Sequence, residues 1–257
     1  ELTSTNRVGF HRYDYSSADT ANVLFDVGAF LAHDKTTKAK IYKTSADEIR
    51  GYSLMAPTHR RKKPIQVYFV AKFNNPISSF GGWEKDASGN KILSDKQIYE
   101  GEDVGGYVRF YNLDGKPLLM KVAISYVSEE QALLNMQEEL PHWDFDKVVD
   151  DSFAEWNSEF GKIKVEGGTY EQRVKFYTDL WHSLLGRHIF SDVNGKYIDN
   201  TESEPVVRSV PLDKDGKPVR STYNSDAFWG AEFNLNILWS IAYPKRMSEF
   251  VSTLVDY

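Results

Sequence analysis

The sequence contains no cysteine, which removes disulfides, thiolate-bound zinc and thiol catalysis together. It leaves the compartment open, since many exported bacterial proteins also lack cysteine. Long apolar runs are missing too: stretches such as Leu118 to Met120 and Ile237 to Trp239 fall far short of the roughly 18 to 20 residues that a membrane-spanning helix needs. An excess of positive charge is lacking, with 31 Lys and Arg against 37 Asp and Glu. With a net charge of -6 the chain has no general attraction for phosphate backbones or anionic lipid, so nucleic acid is not an expected partner. The basic run His59-Arg60-Arg61-Lys62-Lys63, held between Pro57 and Pro64, reads as a solvated loop. A Gly-rich phosphate loop, His-Glu-x-x-His and Gly-x-Ser-x-Gly are all absent, which sets aside kinase, zincin and α/β-hydrolase chemistry. The chain opens at Glu1 with neither an initiator Met nor the apolar core of a signal peptide, and Glu1 to Arg12 reads as the middle of a strand system. The expectation is a piece of a longer protein.

What is present is ordinary globular composition, 257 residues with 41% hydrophobic and 26% charged, enough for one large domain or two of average size. Aromatics reach 14%, with 15 Tyr, 15 Phe and 6 Trp; such residues bury large areas and also offer flat faces on which sugar rings stack. Up to about residue 127 short alternating segments are broken by turn chemistry, which predicts antiparallel β structure of the sandwich type. Ile65 to Phe73 is the clearest strand, with Ile65, Val67, Phe69, Ala71 and Phe73 on one face; Val23 to Phe25, Tyr107 to Tyr111 and Leu118 to Tyr126 are similar. Turns are predicted at Asn74-Asn75-Pro76, Ala87-Ser88-Gly89-Asn90 and Asn112-Leu113-Asp114-Gly115.

At Ser128 the period changes to about 3.6. Ser128 and Gln131 have capping-box spacing, and a helix is predicted to run to Leu140 before Pro141. Phe145, Val148, Val149, Phe153, Trp156 and Phe160 trace one face of a second helix ending at Gly161. Thr169 and Gln172 offer another capping box, opening a third helix that Gly186 stops. Helix-like spacing returns over Asp226 to Ala242 and again over Met247 to Val255. Trp156 and Trp181 continue apolar stripes and are expected in the core.

Three constellations invite a chemical reading. In Gly9-Phe10-His11-Arg12-Tyr13 a His and an Arg beside aromatics suit an anionic or hydroxylated ligand; the plainer reading, a packed strand whose Arg pairs with an acid, is preferred. Asp192-Val193-Asn194-Gly195 and Asp213-Lys214-Asp215-Gly216 resemble the opening of a calcium loop. The position where such a loop needs a Glu holds Thr201 or Thr222, so both read as turns and no metal site is assigned to them. The long polar stretch from Ser191 to Asn224 is read as a functional loop with room for a hairpin. The third constellation follows it. Tyr223 to Asn234 is the densest mixture of carboxylates and aromatics, with Asp226, Trp229 and Glu232 three apart on a helix entrance. That combination suits glycoside hydrolysis, which needs an acid, a second carboxylate and an aromatic wall.

Five segments in order carry a resemblance: Glu1 to Tyr13; Val122 to Ser128 continuing through Asn135 and Glu138; Trp143-Asp144-Phe145-Asp146; Phe176-Tyr177-Thr178 to His182; and Phe190 to Tyr197. Together they resemble glycoside hydrolase family 92, the bacterial calcium-dependent α-mannosidases. The resemblance implies mixed β and α structure: an antiparallel β-sandwich, here incomplete (1–127), linker helices (128–168) and the first helices of an (α/α)6 barrel (169–257). It implies an inverting, exo-acting α-mannosidase, assisted by calcium, releasing mannose from α-mannoside glycans or mannoproteins in the periplasm or at the cell surface. The catalytic acid, base and calcium ligands are expected beyond Tyr257, so no metal ligand is assigned within this chain. Many members carry Trp-Asp-Thr at the start of a barrel helix, where the Asp binds sugar hydroxyls; here Trp229 is followed by Gly230 and Ala231. By resemblance Trp229 is a substrate-binding residue, and Asp226 or Glu232 is the candidate for the missing carboxylate. The alternative is a non-catalytic glycan-binding or scaffold protein built on the same folds.

Overall fold

The structure, a computed structural model, describes all residues except 16–19, 31–34, 60, 87, 112, 225–230, 232 and 257. The chain divides into two compact units, Glu1–Val148 and Val149–Tyr257.

The first unit is built from two antiparallel sheets. One runs in the order β1 (Leu2–Ser4), β2 (Val8–Tyr13), β11 (Leu118–Ser125), β6 (Ile65–Phe73), β5 (Glu48–Met55), β4 (Thr36–Lys43) and β9 (Ile98–Gly101). The other runs β3 (Thr20–Phe25), β10 (Gly105–Tyr111), β7 (Ser79–Lys85) and β8 (Lys91–Ser94). Alternation decides what lies between them. Ile41, Ile49, Phe73 and Leu118 from the larger sheet meet Val23, Phe80, Val108 and Phe110 from the smaller in one buried cluster. Each such side chain contributes on the order of 1.5–3 kcal/mol of transfer free energy. The β4–β5 pair is so close at Gly51 that a Cβ there would stand 1.9 Å from the Lys40 carbonyl oxygen; only glycine fits. The predicted turns form with the backbone they demand, φ being 84° at Gly89, 50° at Asp114 and 68° at Gly115.

Strand β6 matches its predicted bounds and shows why its pattern is only partly alternating. Ala71 and Phe73 face the inter-sheet core, whereas Val70 faces the other way and is equally buried. Helix α1 (Glu129–Glu139) covers that second face, packing Ala132, Met136 and the following Leu140 against Val8, Phe10, Val70 and Ala123. Its start is half of the predicted capping box: Ser128 Oγ accepts from the Gln131 amide at 3.2 Å, but the Gln131 side-chain oxygen is buried without a partner among the described residues. Near the helix end Glu139 accepts from Thr5 Oγ1 at 2.5 Å, the Arg7 amide at 2.9 Å and Arg7 Nη1 at 2.5 Å. That carboxylate ties the first hairpin to the helix.

Helix α2 (Phe145–Phe160) starts in the first unit and ends in the second, where Gly161 donates to the Asn157 carbonyl. In the second unit α3 (Tyr170–Leu185) begins with the complete Thr169–Gln172 capping box and stops at Gly186, as its sequence predicts. β12 (Lys196–Asp199) and β13 (Val206–Ser209) form a hairpin inside the polar stretch. Asp199, buried at its end, accepts from Thr201 and from Arg208 Nε at 2.5 Å, and these contacts hold its carboxyl at about 2. α4 (Leu235–Ala242) and α5 (Pro244–Val255) close the described chain, with Pro244 in the first turn, where its missing N–H is not needed. Leu180, Trp239 and Tyr243 are the buried centre of this unit. Among the described residues the five helices do not close into a barrel.

The helix-like spacing predicted over Asp226 to Ala242 begins in residues outside those described; among the described residues the helical backbone of this stretch runs from Leu235 to Ala242. One expectation needs correction. Trp156 and Trp181 are not core: with Phe160, Tyr170, Val174 and Tyr177 they line an open groove of about 750 Å³ between α2 and α3. Trp181 is 39% exposed because the apolar face it continues is uncovered on that side among the described residues. Ile237 and Ile241 on α4 are likewise exposed.

Candidate functional site

Asp226, Trp229 and Glu232 lie outside the described residues. The chain on either side of them is described, and both sides are anchored. Upstream, 188–190 and 222–224 run antiparallel: Phe190 N donates to the Thr222 carbonyl at 2.8 Å, and Asn224 N to the His188 carbonyl at 3.0 Å. Asn224 Oδ1 in turn accepts from the His188 amide at 2.7 Å. Ser191 Oγ accepts from the Thr222 amide at 3.1 Å. Tyr223 is buried, and its hydroxyl donates to Glu249 Oε2 on α5 at 2.9 Å. Burial first, and the Glu249 carboxylate second, push the phenol far above its ordinary range, so it is a hydrogen-bond donor at any physiological pH.

Downstream, Asn236 N donates to the Ala231 carbonyl at 2.8 Å and Leu238 N to the Asn234 carbonyl at 2.9 Å. The two sides meet at Arg187. This residue is only 8% exposed, and its Nη2 donates to Asn236 Oδ1 at 2.6 Å. Its guanidinium lies 3.7 Å over the Phe250 ring and 4.8 Å over Trp239. Desolvation lowers its pKa from the ordinary guanidinium value, yet an arginine stays charged at neutral pH. Among the described residues it has no carboxylate partner, and Nη1 has no acceptor. Cation–π attraction to two rings is therefore the main described compensation for burying this charge. Sequence reasoning passed over Arg187, Asn236 and Glu249. Their signal was polarity in apolar company, Arg187 just after the helix-stopping Gly186 and Asn236 inside Leu235 to Trp239.

The other constellations resolve plainly. Arg12 pairs with Glu1 at 2.5 Å and Asp146 at 2.8 Å and lies 4.3 Å over Phe145, while His11 Nδ1 is hydrogen-bonded to the Tyr13 hydroxyl at 2.8 Å. This is the packed strand with a paired Arg. Asp192 and Asp213 head turns: Gly195 N donates to the Asp192 carbonyl at 2.9 Å, and Asp213 Oδ1 accepts from the amides of Asp215 and Lys217, both at 2.9 Å. Among the described residues no group of three or more His, Asp and Glu side chains is placed to hold a metal ion.

Comparison with known proteins gives these positions a context. The N-terminal domain of glycosyl hydrolase family 92 matches residues 1–125, and the family's catalytic domain matches residues 131–257. A family 92 α-mannosidase of Bacteroides thetaiotaomicron, solved alone and with mannoimidazole, is 21% identical with a TM-score of 0.82. The match covers 99% of this chain and 33% of that one in the uncomplexed structure. An inverting family 92 mannosidase of the same organism is 19% identical over 99% of this chain and 32% of its own, with a TM-score of 0.81. At these identities the likeness speaks for the fold. A secreted, uncharacterised glycosidase of Arthroderma benhamiae is 28% identical over 97 residues, 35% of this chain and 12% of that protein. The chain thus spans about a third of the length of the solved relatives. With an N-terminal sandwich and the helices that follow it both matched in tandem, the chain belongs to glycosyl hydrolase family 92.

Proposed function

We propose that the intact protein is an exo-acting, inverting α-mannosidase that releases mannose from α-mannoside glycans or mannoproteins with the assistance of calcium. The observation that carries this is the tandem match of the family's N-terminal and catalytic domains over 1–125 and 131–257. The names of the solved relatives, α-mannosidase and inverting mannosidase, support the substrate class and the stereochemistry. The secreted relative supports an exported location, periplasmic or at the cell surface. In this reading 169–257 is the start of an (α/α)6 barrel, and the catalytic acid, base and calcium ligands come from chain beyond Tyr257. An inverting reaction needs two carboxyl groups roughly 6.5–9.5 Å apart, one protonating the leaving oxygen and the other activating water on the opposite face of the ring. Trp229 supplies part of the sugar pocket wall, and Glu232 or Asp226 hydrogen-bonds the sugar hydroxyls. The anchoring of Asn224 by the His188 backbone on one side, and of Ala231 by Asn236, itself held by Arg187, on the other, supports a pocket segment held at both ends.

The test is hydrolysis of aryl α-mannosides by the intact protein, with and without a calcium chelator. Mannose release that the chelator abolishes and calcium restores supports the reading. Activity indifferent to calcium, or confined to another sugar, refutes it. Glycan binding without any hydrolysis favours the non-catalytic alternative, for which the change after Trp229 to Gly230-Ala231 is the sequence argument.

A further inference from the structure

We infer that Arg187 is a positioning residue for sugar binding: with His188 it clamps both ends of the stretch of chain that carries Asp226, Trp229 and Glu232. The inference rests on the reading of those three residues as sugar contacts, and it gives Arg187, acting through Asn236, the task of holding the chain around them. In sequence all three stand between Asn224 and Asn236. Two adjacent residues reach both of these. The His188 backbone pairs with Asn224, accepting from its amide at 3.0 Å and donating to its Oδ1 at 2.7 Å. The Arg187 side chain takes the other end, through the 2.6 Å hydrogen bond from Nη2 to Asn236 Oδ1.

Local chemistry does not fix that second end. Asn234, at the N-cap position of α4, makes no side-chain cap hydrogen bond. The Asn236 amide reaches back over five residues to the Ala231 carbonyl, a wider turn than the four-residue step of an α-helix. A helix start without a cap leaves its first amides unsatisfied and frays. Where α4 begins, and with it where Ala231 sits, therefore depends on the long-range hold on Asn236.

The cost of this residue points to a task beyond packing. Arg187 is buried with its charge desolvated, Nη1 has no acceptor, and among the described residues no carboxylate pairs with it. Stability alone favours an apolar side chain here. The rings of Trp239 and Phe250 that lie against the guanidinium pack equally on a methionine, and replacing buried charge by apolar side chains of similar volume is often neutral or stabilising. What the guanidinium supplies and a methionine cannot is the donor to Asn236. Buried polar groups left partly unsatisfied are rare in native proteins and concentrate at functional sites.

The experiment compares the intact wild-type protein with Arg187→Met, Asn236→Ala and the double variant by thermal unfolding, by hydrolysis of an aryl α-mannoside and by amide exchange over 235–238. Arg187→Met is expected to melt within about 2 °C of the wild type or above it, and to exchange faster over 235–238. Its KM is expected to rise about tenfold with kcat nearly unchanged, because the segment it holds binds the sugar alike in the ground and transition states. Asn236→Ala is expected to raise KM to the same degree and the double variant no further, since both act through one hydrogen bond. Asn236→Ala truncates a half-buried side chain, so it decides the matter if Arg187→Met fails to fold. A lowered Tm with unchanged KM, or losses in the single variants that add in the double, overturns the inference. Hydrolysis by the wild type with KM unchanged in Asn236→Ala keeps the mannosidase reading and ends the clamp. If the wild type hydrolyses no α-mannoside, the mannosidase reading falls and exchange alone decides: faster exchange at an undiminished Tm keeps the clamp, and unchanged exchange ends it.

Discussion

Replacing Lys121 by Met makes the protein more stable at neutral pH, and the gain disappears in alkali. Lys121 is only 4% exposed in the middle of β11. Its amino group donates to the Leu140 carbonyl at 2.9 Å and lies 4.1 Å from the Trp143 ring centroid and 5.9 Å from Phe10. Its cross-strand neighbour is another lysine, Lys72, whose own partner is Glu48 at 3.3 Å. Desolvation first, and Lys72 second, lower the amine from 10.5 to about 8. In the unfolded chain the amine keeps its proton up to its ordinary value, so between about pH 8 and 10.5 the unfolded state binds more protons and stability rises with pH. Keeping the charge at pH 7 costs about 3 kcal/mol, at roughly 1.4 kcal/mol per pKa unit. Methionine of similar length removes that cost but leaves the Leu140 carbonyl unpaired, a loss of about 1 kcal/mol. The net gain is about 2 kcal/mol at pH 7, falling to about zero at pH 10. Urea unfolding of wild type and Lys121→Met at both pH values measures it. A variant less stable than wild type at pH 7, or a difference that does not change with pH, refutes the reasoning.

Glu139→Ala removes the acceptor shared by Thr5 and Arg7, and the side chains of the Arg7–Glu139 ion pair are largely buried at 13% and 12% exposure; a loss of about 2–3 kcal/mol in chemical unfolding is expected. Asp199, held at about 2 mainly by Thr201 and then by Arg208, stabilises its hairpin above about pH 4, the ordinary carboxyl range, and that contribution disappears as pH falls toward 2. Amide exchange of 206–209 is expected to quicken over that window in wild type and to be fast throughout in Asp199→Ala. In the intact enzyme Trp229→Ala is expected to lower kcat/KM by about tenfold or more, on the order of 1.4 kcal/mol, with little change in Tm. A collapse of Tm with unchanged kinetics in the remaining folded enzyme makes Trp229 a packing residue instead.

Local chemistry made much of this fold legible in advance. β6 needed only its alternating apolar residues, and the starts and stops of α1 and α3 needed only Ser128, Pro141, Thr169 and Gly186, because each is set by contacts a few residues away. The partition of strands between two sheets was not readable: β5 joins β6, while β7, next in sequence, crosses to the other sheet, and pairing between distant segments decides that. Trp156 and Trp181 were misjudged because periodicity says which face of a helix is apolar and not whether anything covers it. The half-formed box at Ser128 is similar, since burial took Gln131 away from the cap. The tie through Arg187 links residues 49 positions apart, which a local reading cannot see. The family resemblance rested on five ordered segments, and both matched domains bear it out.

The most direct test of the central claim is the anomer released first by the intact protein. Proton NMR of an aryl α-mannoside digest, recorded before mutarotation, is expected to show β-mannose appearing ahead of α-mannose, and none of either when calcium is chelated. Initial release of α-mannose contradicts the inverting mechanism, and no release of mannose from any α-mannoside contradicts the activity itself.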